Sequence, residues 1–285
     1  MSDSNIKILS AVFVLLLAAV FLRDRIGPKG PRPLFEGKSL NFIEVSQHGS
    51  KASVELKDGK WYQDRWPVDR DMIQKALKGL SSIKLDEMIS SNSLKYTDFE
   101  VNDSSAVVVR AVSDTGDEKI FLIGKRSGEW LKSYIRIRAS REVYIVSGIN
   151  KEMFSAVQDA WRERDMIELD DAVSIRLDAP SGNYDIIRDT VTWPAFSREL
   201  SGVRAEGFIE DSGKYASYID APLYTIEVVY SSDTGASYKL ISDGIDSMVL
   251  FGDLLYKVKR DLPEKLAALL LEKESNKVSN RKESR

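Results

Sequence analysis

The 285 residues contain no cysteine and a single histidine, His48. The first absence excludes disulfides, thiolate metal sites, a thiol nucleophile and a lipid-modified N-terminal cysteine, and leaves the compartment open. The second removes every metal site built on several histidines and makes the usual acid–base catalyst scarce. Hydrolytic chemistry would then fall to carboxylates, serine, tyrosine or lysine. No glycine-rich phosphate loop ending in Gly-Lys-Ser or Gly-Lys-Thr is present, so nucleotide hydrolysis of that kind must come from another protein. A basic surplus is missing as well. The chain carries a net charge of −3, and residues 1–32 hold five basic side chains against two acidic ones, which leaves −6 for the remainder. A nucleic-acid groove and an extended face on anionic lipid both need clustered lysine and arginine, and neither fits that balance. With 17 glycines and 8 prolines the chain is not of low complexity, and 43% hydrophobic with 30% charged residues is the composition of a folded protein. Its length leaves room for two lobes, each with its own core.

From Ile6 to Leu22 the sequence is apolar except for Lys7 and Ser10, a stretch of 17 residues, at the short end of the roughly 17–25 that span a bilayer. Lys7 reaches the interface by snorkelling. No small-x-small triplet follows, so an uncleaved anchor is expected rather than a signal peptide. Arg23, Asp24 and Arg25 end the run, and a glycine- and proline-containing linker, Ile26 to Pro33, follows. Four basic residues lie after the segment and only Lys7 with the terminal amine before it, a distribution that by itself favours a cytoplasmic C-terminal region.

Beyond the linker, Leu40 to Val45 and Ser53 to Leu56 read as strands around Gln47-His48-Gly49-Ser50, and Asp58-Gly59 marks a second turn before Trp61. Asp69 is placed to cap a helix whose apolar stripe is Met72, Ile73, Ala76, Leu77 and Leu80. Strands follow at Val107 to Val112, Ile120 to Ile123, Ser133 to Arg138 and Val143 to Val146. Asn150 then opens a predicted helix through Met153, Phe154, Val157 and Trp161.

The order recurs in shorter form. Ile43 precedes Trp61 by 18 residues and Ile175 precedes Trp193 by 18; Tyr96 precedes Ser113-Asp114-Thr115-Gly116 by 17 and Tyr215 precedes Ser232-Asp233-Thr234-Gly235 by 17; Tyr144 to Phe154 and Tyr256 to Leu266 each span 10. These spacings predict an α+β protein with an N-terminal transmembrane helix and two related lobes of antiparallel strands with packed helices. The expected division is an anchor and linker at 1–32, a first lobe at 33–169 whose repeat occupies 39–165, a second lobe at 170–271 and a polar, disordered tail at 272–285.

Trp61 with Pro67-Val68-Asp69, the hairpin leading to Ile123-Gly124, Tyr134-Ile135-Arg136, Val143-Tyr144-Ile145-Val146 and Arg162-Glu163-Arg164-Asp165 resemble the bacterial membrane-anchored family catalogued as domain of unknown function 4340. The resemblance covers most of residues 1–271. It implies an extracytoplasmic region on one membrane helix, opposite to the local basic count, often encoded beside a gliding-motility-type ABC transporter. It implies no activity and no catalytic residues.

The doubled Ser-Asp-Thr-Gly invites comparison with aspartic proteases, whose two related lobes each supply one carboxylate. Asp114 and Asp233 would be that pair. Serine precedes each, however, and each copy lies between alternating strands, the chemistry of a hairpin turn. His48 sits in a polar turn without a second ligand nearby. Asp69-Arg70-Asp71 is explained by capping, and Asp170-Asp171, two acids without further oxygen donors, reads as a solvated junction. Trp61, Trp161 and Trp193 are assigned to cores, while Trp66 in its turn and Trp130 after Ser127-Gly128-Glu129 are the candidates for an exposed partner surface. No catalytic, cofactor-binding or metal-binding residue is assigned. The expected partners are the bilayer, through residues 6–22, and ABC transporter membrane subunits, with no nucleic acid. The function expected is a membrane-anchored interaction or scaffold protein, and the resemblance implies that it is extracytoplasmic and accessory to ABC-type transport. A carboxylate-dependent envelope hydrolase and a polysaccharide- or lipid-binding module are the alternatives.

Overall fold

The computed structural model describes residues 33–283 except Asp86, Glu129, Trp130 and Asp233. The expected anchor at 6–22 lies outside them, and among the described residues no helix is long and apolar enough to cross a membrane. The elements in chain order are β1 (Leu40–Gln47), β2 (Ser50–Lys57), β3 (Lys60–Gln63), β4 (Trp66–Pro67), α1 (Arg70–Ser82), β5 (Glu87–Ser90), β6 (Val107–Ser113), β7 (Glu118–Arg126), β8 (Lys132–Ile137) and β9 (Val143–Ser147). After them come β10 (Ala172–Ala179), β11 (Gly182–Ile187), α2 (Trp193–Ser201), β12 (Gly207–Ile209), α3 (Ala216–Asp220), β13 (Tyr224–Tyr230), β14 (Gly235–Ser242), β15 (Ser247–Phe251), β16 (Leu254–Val258) and α4 (Leu262–Glu283). These form two antiparallel sheets with a few helices, an α+β fold.

Two compact units emerge, one within Met1–Ser53 and Gln74–Ala156, the other within Val54–Ile73 and Val157–Arg285. The division differs from the contiguous one expected at 169/170. Its cause is Trp66, which is fully buried in a core otherwise drawn from residues 166–270, so the segment around it joins the second unit.

In the first unit the strands run in the order β1-β6-β7-β8-β9-β5, every pair antiparallel. Strand β6 buries alternate residues, Val107, Val109, Ala111 and Ser113, as the two-residue period of a strand with one covered face requires. Strand β7 buries four in succession, Phe121 to Gly124, because residues 96–106 pack on its other face through Val101 and Ala106. The second unit has the order β11-β10-β13-β14-β15-β16-β12. Ile175, Leu177, Ile226, Val228, Leu240 and Val249 share a core with Phe196 and Leu200 of α2 and with Leu262, Leu266 and Leu270 of α4. That last trio recurs every four residues, one face of a helix. On the opposite side Ile241, Met248 and Leu255 pack with Tyr215 and Ile219.

Helix α1 forms where its stripe placed it, and Asp69 caps it, with Oδ1 accepting the Met72 amide at 2.7 Å. Asp69→Ala should lower stability by about 1 kcal/mol, the usual worth of such a cap. Urea unfolding followed by circular dichroism checks this, and an unchanged midpoint would show that water replaces the carboxylate at no cost.

Three expectations are corrected. The helix predicted from Asn150 to Trp161 is two 3₁₀ turns, Lys151–Met153 and Gln158–Ala160, with Phe154 extended at φ −131° and ψ 126°. Phe154, Ala156 and Trp161 are all buried, and their spacing fits no single helical face. Trp61 lies in β3 whereas Trp193 opens α2, so their equal distances from Ile43 and Ile175 match a strand residue to a helix residue. The polar tail, expected to be disordered from 272, continues α4 to Glu283. Glu and Lys are good helix formers, and Lys273 Nζ donates to the Asp185 carbonyl at 2.7 Å while Glu274 accepts from the Tyr184 hydroxyl at 2.7 Å.

Candidate functional site

The second unit carries an open cleft of about 460 Å³ between the start of β10, the end of β11 and α2, lined by Leu169, Asp170, Arg188, Trp193, Pro194, Ser197, Arg198 and Ser201. Its shape follows from the chain between β11 and α2. Asp189 adopts a positive φ of 68°, and the Thr190 amide and hydroxyl both donate to the Ile187 carbonyl, at 3.3 and 2.6 Å. The tight turn delivers Trp193 and Pro194 to the first turn of α2, where a proline forfeits no hydrogen bond. Pro194, Ser197, Arg198 and Ser201 are spaced i, i+3, i+4 and i+7, one helical stripe, and that stripe lines the cleft. Phe196 and Leu200 turn into the core.

The side chains differ in how they are held. Arg188 Nη1 donates to the carbonyls of Asp170 at 2.8 Å and Ala172 at 2.9 Å, and its guanidinium carbon lies 5.9 Å from the Trp193 ring centroid. It is therefore fixed, with three of its five N–H donors left over. Among the described residues no carboxylate pairs with the Arg198 guanidinium, which is exposed at the rim. The hydroxyls of Ser197 and Ser201 donate to carbonyls of their own helix, Pro194 at 3.3 Å and Arg198 at 3.4 Å. Such bonds leave each oxygen as an acceptor and do not make it a nucleophile.

A second polar cluster, in the same unit, is buried rather than open. Arg162 is 4% exposed and packs against the rings of both Trp66 and Phe208, with centroids 5.2 and 5.0 Å from its guanidinium carbon, while the two rings touch each other edge-to-face at 5.0 Å. It pairs with Glu210 at 2.7 Å and Asp159 at 3.2 Å, and Trp66 Nε1 donates to Glu210 Oε1 at 3.1 Å. Tyr256 stacks edge-on against Trp66 at 5.0 Å, and burial pushes its hydroxyl up to about 12. Trp66 was the candidate for an exposed partner surface, and the structure corrects it. The ring is 0% exposed, because its indole N–H reaches the partly solvated Glu210 carboxylate and the ring itself packs against an arginine and two aromatic rings.

Trp130, the other surface candidate, lies outside the described residues, as does Asp233. Asp114 stands in the exposed turn between β6 and β7, where its amide donates to the Ser39 carbonyl. The two Ser-Asp-Thr-Gly copies fall on the β6–β7 and β13–β14 hairpins but two positions apart in register. The Ser113 amide closes the first turn on the Asp117 carbonyl at 2.9 Å, and the Tyr230 amide closes the second on Thr234 at 2.9 Å. Gly37-Lys38-Ser39 precedes β1 with Arg32 where a phosphate loop needs its first glycine, and Lys38 pairs with Asp117. Asp170, read from sequence as a solvated junction, lines the cleft, and Trp193, assigned to the core, does so while half-buried. Arg188 and Arg198 were not foreseen, although the stripe of Pro194, Ser197, Arg198 and Ser201 was legible as a polar helix face.

The fold and cleft define an α+β protein of two antiparallel-sheet units with an open cleft on the second. The sequence model of the family described as "Domain of unknown function (DUF4340)" matches residues 61–219, more than half of the chain, and the chain belongs to that family. No curated protein and no solved structure matches it.

Proposed function

We propose that this protein is a membrane-anchored, extracytoplasmic binding and scaffold protein that serves an ABC-type transport system, with the cleft beside α2 as its recognition surface. The observation that carries this reading is how the cleft is furnished. Arg188 is locked by backbone carbonyls, the serine hydroxyls are satisfied within their helix, and the Trp193 ring lines the cleft, an arrangement that holds a ligand rather than one that activates a nucleophile. The anchor at 6–22 and the transporter rest on the sequence and on the family. Tethering to a bilayer raises the effective concentration for membrane partners, so modest intrinsic affinity suffices.

We further read the two sheets as copies of one duplicated unit. In its support, β1-β6-β7-β8-β9-β5 and β10-β13-β14-β15-β16-β12 run in the same order. The pairings of β1 with β6 and of β10 with β13 share an irregularity at the same step, Leu40/Phe42 and Ala172/Ser174. The cross-strand pair Glu44–Arg110 has its counterpart in Arg176–Glu227 with the charges exchanged. A register irregularity and an acid–base pair of cross-strand neighbours at matching positions outlast sequence drift better than individual residues do.

Affinity purification of the full chain from detergent-solubilised membranes, beside a control lacking residues 6–22, tests the function. Transporter membrane subunits should be recovered with the full chain and be strongly depleted in the control. Their absence from both, together with normal transport in a deletion strain, would remove the transporter from the reading.

A further inference from the structure

We propose that the cleft beside α2 binds an acidic saccharide, a sugar ring that carries a carboxylate. This rests on the reading of the cleft as a recognition surface and names its ligand class. Sugar rings present a face of C–H groups and an edge of hydroxyls, and they are held by an aromatic platform flanked by planar polar side chains. Trp193 is that platform, partly buried against the core and lining the cleft beside the Arg188 guanidinium. Asp170 and the oxygens of Ser197 and Ser201 are acceptors for sugar hydroxyls.

Charge decides between a neutral and an acidic sugar. Two arginines face one aspartate across the cleft, so a neutral ring would leave one guanidinium uncompensated where a carboxylate would balance it. Arg188 is the pre-organised partner. Its Nη1 is committed to two backbone carbonyls, which leaves Nε and Nη2 as a fork for a carboxylate at little further cost in side-chain entropy. Arg198, exposed at the rim, supplies the second contact by closing over the ligand. A bare oxyanion needs neither the ring, nor the acceptors, nor a volume of about 460 Å³. Being open along its length, the cleft accepts a sugar within a chain as well as one at its end.

The test is calorimetric titration of the purified full chain in detergent micelles with tri-galacturonic acid, with its methyl ester, and with a glucuronate-containing oligosaccharide. Sodium sulfate and vesicles of phosphatidylglycerol in phosphatidylcholine complete the set. At least one of the two acidic saccharides should bind saturably. Where tri-galacturonic acid binds, its ester, identical but for the charge, should bind at least about tenfold more weakly, the value of a charge-assisted pair. Arg198→Gln should weaken the acid by a similar factor without changing thermal unfolding, since the side chain is exposed, and Arg198→Lys should restore part of it. Equal binding of acid and ester would overturn the acidic class, and sulfate binding as well as the saccharides would reduce the cleft to a general anion site. Vesicle binding with silent saccharides would assign the cleft to lipid. Silence of every probe would overturn the recognition surface itself, independently of whether the transporter co-purifies.

Discussion

Gly124→Ala is expected to cost the first unit about 3 kcal/mol or more, the upper range for a side chain forced into filled space. Gly124 lies in β7, and no unusual φ is at issue. A Cβ added there would stand 2.2 Å from the Phe99 carbonyl oxygen and 2.7 Å from Val101 Cγ1. The obstruction is mainly backbone, so no rotamer change relieves it. The crossing segment is also tied down. Lys125 donates its amide to the Phe99 carbonyl at 3.2 Å, Arg136 Nε donates to the Val101 carbonyl at 3.2 Å from a buried position, and Glu100 pairs with Lys151 at 2.6 Å. Arg136 further lies 4.4 Å from the Tyr96 ring centroid. For residues 99–101 to retreat, these contacts would have to break together. Gly116→Ala is the informative comparison. Its φ of +83° strains an alanine, but its Cβ would meet nothing within 4 Å, so the cost should be about 1 kcal/mol. Denaturant unfolding of both variants, with hydrogen exchange at β7, measures the difference. A Gly124→Ala protein as stable as Gly116→Ala would mean that the segment does not cross β7 at this distance.

That glycine illustrates what was and was not legible in the sequence. Strands β1, β2 and β6 to β9, and the β13–β14 hairpin, were visible because alternation is local: Val107, Val109 and Ala111 announce a covered face without reference to anything distant. The cap at Asp69 was visible for the same reason. Gly124 was noticed as part of an Ile-Gly pair, yet its purpose depends on residues 99–101, more than twenty positions away, and no periodicity encodes that. Trp66 went the opposite way. Beside Pro67 it reads as a turn, and β4 is only two residues long, too short for any pattern to report. What buries Trp66 is Arg162, Phe208, Glu210 and Tyr256, from three later parts of the chain. The predicted helix after Asn150 failed through an apolar count that suited a helix while the burial spacing of Phe154, Ala156 and Trp161 did not. The cleft fell between these cases. Its helix stripe is local, whereas Arg188 enters it only because β11 ends against the start of β10, a pairing fixed by the sheet.

Arg162→Ala should destabilise the second unit by about 3 kcal/mol, and the comparison with Arg162→Met says why. The ion pairs look dominant, with Glu210 at 2.7 Å and Asp159 at 3.2 Å, but both carboxylates are half-exposed or more. Losing their partner leaves them in water, so neither becomes a stranded buried charge, and exposed pairs contribute little in any case. The guanidinium itself is 4% exposed and has already surrendered its hydration, and its Nε finds no hydrogen-bond partner, both of which reduce the net value of the charge. Packing remains. The arginine packs alongside Trp66 and Phe208, which touch each other, and both rings gain from a desolvated cation at about 5 Å, an interaction worth about 2 kcal/mol in such a setting. Alanine forfeits this and leaves a cavity beside the indole, where large-to-small changes cost about 2–5 kcal/mol. Methionine keeps the stem, fills most of the gap and contacts both rings through sulfur, so its cost should be nearer 1 kcal/mol. Equilibrium unfolding of wild type and both variants, followed by tryptophan fluorescence at low and high sodium chloride, separates the two accounts. A methionine variant as unstable as the alanine one, with a difference that shrinks in salt, would show that the ion pairs carry the cluster and that the packing against the rings is secondary.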